Sequence, residues 1–553
     1  MALLERRIGL LFAAFLALLV LAGGRALFLG AIKGSSLASA ATNQQVSSID
    51  LPARRGTIVD RNGSELAVSE PADDVSATPY LVKDPVKTAA KLAPLLGKKE
   101  DELIKKLARR DTGFVYLARA LPANQAAQVE KLELPGIQLT DGHRRVYPRN
   151  ELASQLLGNV GIDGDGLSGL EYFENRTLRG TNGERRLVKD AFGDSIKISD
   201  TKPAKPGSRV ELTIDAAIQD KVEQVLAGVG QQYRPKGATA IVMNPATGEV
   251  LALANWPRVD ANDPGSAPAY AKQNRAVGYT YEPGSTFKSI TVAGALQDGT
   301  VSPTTTFDLP PQIQVADRTI GESHMRGPVT LTTSEILAQS SNVGAIKIGL
   351  EMGKVRFDYW VRRFGFDKPT GVDLPGEQRG IVLPVSKYSG SSMGNLPIGQ
   401  GEAVTPMQMA QAYAAIANSG MLRSPRVVRR IGGKLVPTPR GKRVISVHTA
   451  AQLRTMLEGA FAPGGTASEV SIPGYKLAGK TGTANKIDPT TGEYSESRYV
   501  ASFIGFAPAL HPKLLIAVMV DEPQTEIYGG VVAAPAFEKI ASFALPYLRI
   551  PPG

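Results

Sequence analysis

Ser285-Thr286-Phe287-Lys288 sets a hydroxyl three residues ahead of an amine, directly after the turn formers Pro283-Gly284. On a helix, residues so spaced share a face and come within hydrogen-bonding reach. The pair reads as a nucleophile with its base one turn away. Two clusters follow in order, Ser340-Ser341-Asn342 and Lys480-Thr481-Gly482. A serine hydroxyl is a weak nucleophile until a base takes its proton. A lysine serves as that base only when burial or a second cation destabilises its ammonium. Lys480 is the candidate second cation, and it also suits a substrate carboxylate. Ser285 at a helix start offers its backbone N–H, at the positive end of the dipole, as half an oxyanion hole. The N–H of Thr483 is the expected other half. Gly482 is expected to leave room for substrate along its strand, Ser340 to relay a proton to a leaving amine, and Asn342 to hold a substrate amide. The motif set together describes a serine acyltransferase that needs no histidine. A lone Ser-x-x-Lys carries little weight: Ser199 with Lys202 repeats the spacing and reads as solvated loop.

Outward from the motifs, Thr239–Met243 and Glu249–Leu253 predict two strands around the turn Asn244-Pro245-Ala246-Thr247-Gly248. Ser285–Leu296 predicts a helix, and Thr332–Glu335 is a capping box opening another. Ala501–Phe506 and Leu514–Val520 are apolar runs suited to central strands, and Val531–Tyr547 suits a final helix. Upstream, Thr57-Ile58-Val59 enters an Asn62-Gly63 hairpin turn, and Val82–Ala108 has helical texture. Asp200-Thr201-Lys202-Pro203-Ala204-Lys205-Pro206-Gly207 reads as a linker. The order predicts an α+β fold in three parts. Residues 1–33 form a cytoplasmic tail and transmembrane anchor, 34–205 a mixed α/β pedestal, and 206–553 a catalytic domain with a central antiparallel sheet flanked by helices.

The anchor reading rests on Ile8–Gly24, which carries no charge, and on the apolar residues that resume after Arg25 to Ile32. Arg6 and Arg7 at the near end predict a cytoplasmic tail with the bulk of the chain outside. The competing reading is a cleaved signal peptide ending at Ala38-Ser39-Ala40. A small, polar stalk is expected from the anchor to Ser48.

Composition narrows the chemistry. The chain of 553 residues has no cysteine, which removes thiolate nucleophiles, thiolate metal sites and disulfides. His143, His324, His448 and His511 show no metal-ligand spacing; three read as polar loops and His511 as a turn. Neither metal nor organic cofactor is expected. A net charge of +11 fits an anionic wall or membrane surface. Basic residues are not interleaved with aromatics in blocks, so nucleic-acid binding is not expected.

At these residues the chain resembles the class B penicillin-binding proteins, the monofunctional D,D-transpeptidases of the bacterial cell wall. Tyr281-Glu282-Pro283-Gly284-Ser285-Thr286-Phe287-Lys288 resembles their active-site segment, notably in the septal, cell-division branch. Ala478-Gly479-Lys480-Thr481-Gly482-Thr483-Ala484 resembles their third motif. Gly371–Glu377, Gly399-Gln400-Gly401 and Val404-Thr405-Pro406 fit too, and Arg55–Gly63, Tyr147-Pro148 and Gly169-Leu170-Glu171 are similar to the non-catalytic pedestal. The resemblance implies that Ser285 is acylated by the penultimate D-Ala of a peptidoglycan stem peptide, releasing the terminal D-Ala. An amine of a neighbouring stem then closes a crosslink, and β-lactams acylate the same serine. It implies Lys288 as base, Ser340 and Asn342 in proton transfer and positioning, and Lys480, Thr481, Gly482 and Thr483 as the substrate-binding strand. It also implies a multi-pass lipid II polymerase and other division proteins as partners. Without a second catalytic module ahead of the pedestal, the chain is not expected to polymerise glycan.

Rival readings share the acylation. A D,D-carboxypeptidase or a β-lactamase passes the acyl group to water, whereas a non-catalytic division scaffold would retain a dead site. Elongation and sporulation roles are alternatives to the septal one.

Overall fold

The computed structural model describes residues 2–32, 46–189 and 195–552. Helix α1 (Ala2–Leu27) runs on through a π turn, Phe28–Ile32. Within it Arg6–Ala31 has a mean hydropathy of 2.2, and its apolar stretch is exposed among the described residues. A helix of that length reaches about 39 Å, enough to cross a bilayer's apolar core. It fits a single-pass membrane anchor. The triplet Ala38–Ala40 and most of the expected stalk lie outside the described residues. The end of the stalk, Val46–Ser48, instead begins a strand, β1 (Val46–Leu51).

The Asn62-Gly63 turn joins β2 (Ile58–Val59) to β3 (Glu65–Ala77), with Gly63 at φ +91°. Asp84 caps α2 (Pro85–Leu96) by accepting from the Lys87 N–H, and α3 (Glu100–Leu107) follows. Strands β4 (Val115–Pro122) and β5 (Ile137–Val146) both pair with β3. His143 therefore sits on a strand, not in the expected loop. Behind them Glu171 is fully buried between Arg55 and Arg145, 2.6 Å from each. Strand β6 (Gly183–Lys189) pairs with both β1 and β7 (Ser195–Lys202). The expected linker is thus strand as far as Lys202, and Ser199-x-x-Lys202 lies on that strand rather than in a loop. Pairing with β6 satisfies backbone groups that a polar composition had suggested were solvated.

Beyond β8 (Val210–Leu212), Asp215 caps α4 (Ala216–Tyr233). Strands β9 (Gly237–Met243) and β10 (Val250–Trp256) form the expected antiparallel pair. Next come α5 (Lys288–Asp298), α6 (Thr333–Ala338) behind its Thr332–Glu335 capping box, and α7 (Asn342–Met352). Then follow α8 (Pro406–Ala417), β11 (Val428–Ile431) and β12 (Lys434–Leu435). His448 lies in the helix Val447–Glu458, again not in a loop. The chain closes with β13 (Ala478–Ile487), β14 (Tyr494–Ala507), β15 (Leu514–Asp521) and α9 (Ala534–Tyr547).

Five of these strands make an antiparallel sheet in the order β10-β9-β15-β14-β13. Alternate residues serve opposite cores, as a strand's period of two requires. Ala240, Val242, Ile516 and Val518 pack with Val222 and Leu226 of α4 and Phe537 and Ile540 of α9. Ile241, Met243, Ala517 and Met519 pack with Ile290 of α5 and Tyr413 of α8. This burial leaves β13 as an edge strand beside the N-terminal end of α5.

A second sheet of seven strands spans both halves of the chain, in the order β12-β11-β8-β2-β3-β4 with β5 also on β3. Its seam is the parallel pair β2–β8, Ile58 opposite Val210.

Candidate active site

The nucleophile candidate sits in a single 3-10 turn, Gly284–Phe287, which precedes α5. The expected helix from Ser285 is thus α-helical only from Lys288. Gly284 adopts φ +54° and donates its N–H to the Gly399 carbonyl at 2.9 Å. A Cβ on Gly399, at φ +77°, would lie 2.3 Å from the Gly284 oxygen, so only glycine lets the two loops touch. Tyr413 of α8 braces the turn from beneath. Its hydroxyl donates to the Thr286 carbonyl at 2.7 Å and lies 2.9 Å from Ser289 Oγ. Phe287 packs on Phe366, with ring centroids 5.1 Å apart. Ser285 itself is half-buried, and its hydroxyl bonds to none of the described residues.

Lys288 has no solvent exposure. Its Nζ donates to the Ser340 carbonyl at 2.6 Å, to Asn342 Oδ1 at 2.6 Å and to Ser340 Oγ at 3.3 Å. The expected direct hydrogen bond to Ser285 is not made. A buried amine with three acceptors at the α6–α7 junction is better satisfied there than by one hydroxyl. Ser340 lies between the two helices at φ +62°, and Ser341 caps α7 by accepting from the Gly344 N–H. Burial pushes the Lys288 ammonium down to about 7, against the opposing pull of Glu322.

Glu322 was not legible in the sequence. It accepts from Ser341 Oγ and from the Asn342 N–H, both at 2.6 Å, and pairs with Arg326. It therefore fixes the second motif from behind. Nothing in the run Glu322-Ser323-His324 distinguishes it from other loop carboxylates.

On the third motif, Lys480 is completely buried and donates to the Thr481 carbonyl at 3.3 Å. Burial, and then the charge of Lys288, hold its ammonium well below the usual lysine range. Thr481 Oγ1 donates to Thr466 Oγ1 at 2.8 Å, and Thr483 Oγ1 accepts from the Gly529 N–H at 3.1 Å. A Cβ on Gly284 would lie 3.0 Å from the Thr483 carbonyl, so the nucleophile turn abuts this strand. Gly482 is closely packed on its side-chain side: a Cβ would fall 2.4 Å from Ser502 Oγ and 2.9 Å from Thr286 Cγ2. Glycine here lets β13 press against the turn that carries Ser285. The structure thus brings the three clusters together, Lys288 on Ser340 and Asn342 and the Ser285 turn on Gly482 and Thr483.

A family model for the penicillin binding protein transpeptidase domain matches residues 238–542, and one for the penicillin-binding protein dimerisation domain matches 50–212. The chain is 34% identical to the stage V sporulation protein D of Bacillus subtilis over 94% of its own length and 82% of that protein's. It is 33% identical to the peptidoglycan D,D-transpeptidase FtsI of Escherichia coli K12, over 90% and 84% respectively. The crystal structure of penicillin binding protein 3 from Mycobacterium tuberculosis, complexed with aztreonam, superposes with a TM-score of 0.71 at 30% identity, covering 91% of this chain and 98% of that one. A penicillin-binding transpeptidase domain behind a dimerisation domain defines the class of molecule. Within it, the chain belongs to the class B penicillin-binding proteins, D,D-transpeptidases of the serine acyltransferase type.

Proposed function

We propose that Ser285 forms the acyl-enzyme in a peptidoglycan crosslinking reaction, with Lys288 as its base. The carrying observation is Lys288: fully buried, with its ammonium destabilised to about 7, and held by Ser340 and Asn342. In its neutral form Lys288 takes the Ser285 proton while Oγ attacks the carbonyl of the penultimate D-Ala. The N–H groups of Ser285 and Thr483 receive the oxyanion. Ser340 relays the proton to the departing amine, and terminal D-Ala leaves. Asn342 positions the substrate amide. Lys480 and Thr481 receive the terminal carboxylate, whose charge restores the Lys480 ammonium that burial disfavours. An acceptor amine then attacks the ester and regenerates Ser285. β-Lactams are read as acylating the same oxygen.

Intact-protein mass spectrometry with benzylpenicillin tests this. A long-lived adduct mapping to Ser285 is expected; rapid turnover to free penicilloate would replace the transpeptidase with a hydrolase.

The septal role is supported by the likeness of Tyr281-Glu282-Pro283 to that branch and by the relative FtsI. The sporulation relative makes the cellular test decisive: a fluorescent fusion should form a midcell band in dividing cells, and uniform wall labelling would exclude division. The apolar α1 with Arg6 and Arg7 supports a cytoplasmic tail and an external catalytic domain. We read residues 1–33, 34–205 and 206–553 as anchor, pedestal and catalytic domain. The anchor and pedestal are the surfaces for a multi-pass lipid II polymerase.

A further inference from the structure

The chain leading into the nucleophile turn lies alongside β13, and the two meet through small residues. A Cβ on Gly482 would lie 3.1 Å from the Pro283 carbonyl oxygen, and one on Gly284 would lie 3.1 Å from Ala484 Cβ. Among the described residues no backbone hydrogen bond joins residues 279–287 to β13. Contacts between apolar surfaces have no preferred direction, so they set how closely two segments approach and not their register. The proposed oxyanion hole nevertheless takes one N–H from each segment, Ser285 and Thr483. Its geometry needs a directional tie between them.

A buried carboxylate supplies one. Asp521, the last residue of β15, has no solvent exposure. Lys486 of β13 reaches over β14 and donates from Nζ to Asp521 Oδ1 at 2.7 Å. The Tyr279 hydroxyl donates to the same oxygen at 2.9 Å, and Arg275 donates to Oδ2 at 3.2 Å. Glu522 also accepts from Lys486, so two cations meet two carboxylates. The packing is built around this cluster. Gly237 lies opposite Asp521, and a Cβ there would fall 2.4 Å from the Arg275 guanidinium carbon. Burial, then the charge of Asp521, push the Tyr279 phenol up to about 12, which keeps it a donor near neutrality. A buried carboxylate stripped of a donor is costly, so the arrangement resists exchange with water. One oxygen thus holds both the far part of the edge strand and the chain six residues ahead of Ser285.

We propose that Asp521 is a positioning residue: by holding Lys486 and Tyr279 together it sets the register of the Ser285 turn against β13, and with it the spacing of the two oxyanion N–H groups. The inference rests on the proposed acyl-enzyme. A donor placed for the transition state contributes to rate and not to ground-state binding. Asp521 touches no reacting atom and acts through the two segments it joins.

The test uses the full chain and benzylpenicillin, with adduct followed by rapid quench and intact mass over a range of drug concentrations. That separates the limiting acylation rate from the half-saturating concentration, and the final adduct counts the competent molecules. In Lys486→Gln and in Tyr279→Phe the limiting rate should fall about 10–100-fold, the scale of a misplaced rather than a missing oxyanion donor, with half-saturation and final adduct little changed. Asp521→Asn should lose at least as much. The Lys486→Gln, Tyr279→Phe double variant should be no slower than the slower single, because both groups act through one oxygen. Unchanged limiting rates overturn the positioning role. A loss confined to the final amount of adduct overturns it too, since that marks unfolding alone. Losses that multiply in the double variant likewise overturn it, as two independent supports would behave so. Absence of any adduct on the unaltered protein overturns the proposed function instead. Lys486 is partly exposed, so Lys486→Gln decides even where Asp521→Asn fails to fold.

Discussion

Lys288 Nζ and Asn342 Oδ1 lie 2.6 Å apart, so the base candidate on α5 is held by the first residue of α7 rather than by the serine it is proposed to activate. The amine is oriented before any substrate enters. Deprotonation would cost it one of three donors, none of which reaches Ser285.

Lys288→Arg keeps the charge but cannot shed a proton near neutrality. Acylation by a fluorescent penicillin should fall by about 10²–10⁴-fold, the usual contribution of a general base. An unchanged labelling rate would assign the proton to another group.

The pH profile follows from the same amine. With Lys288 at about 7, the acylation rate should rise with pH and level off above that value. Glu322 raises the Lys288 value, so Glu322→Gln removes a stabiliser of the ammonium and should move the midpoint to lower pH. A midpoint moving upward would show that the carboxylate acts by other means.

Ser285→Ala should abolish labelling and barely alter stability. The hydroxyl has no hydrogen-bond partner among the described residues and does not cap its turn. The loss should stay below about 1 kcal/mol in a denaturant titration, the typical value of a serine cap.

Tyr413→Phe should cost about 1–3 kcal/mol, because the buried Thr286 carbonyl loses its donor and Ser289 its partner. Chemical unfolding measures that loss. Slower penicillin labelling should accompany it, since this hydroxyl braces the turn bearing Ser285.

Gly482→Ala should destabilise by about 1–3 kcal/mol through overpacking. Because the nearest clash is with Ser502 Oγ, adding Ser502→Ala should recover part of the loss. Equal losses in the single and double variants would relocate the strain to Thr286.

Much of this was legible because the signals are local. The Asn62-Gly63 turn, the Thr332–Glu335 capping box and the apolar runs of β14 and β15 each declare themselves within a few residues. What the sequence hid depends on distant partners. Polar Asp200–Lys202 is strand because β6 pairs with it, and His143 because β3 does. Glu322 and Tyr413 support the cleft from loops and helices with no fixed spacing to the motifs. Gly482 shows the limit best. A missing side chain signals close approach, but only the fold shows that Ser502 and Thr286 are what approaches its side-chain position.

The shared sheet has a mechanical corollary. Val210 pairs with Ile58 on one side and Ile431 on the other, while Thr213 Oγ1 donates to Val250 of the other sheet at 2.6 Å. Backbone ladders of this kind resist shear, so the distal strands and the transpeptidase half cannot swivel as loosely tethered bodies. A load applied at β4 or β5 is borne by that same hydrogen-bonded spar, which meets the catalytic sheet at β10, the edge opposite the strand beside Ser285.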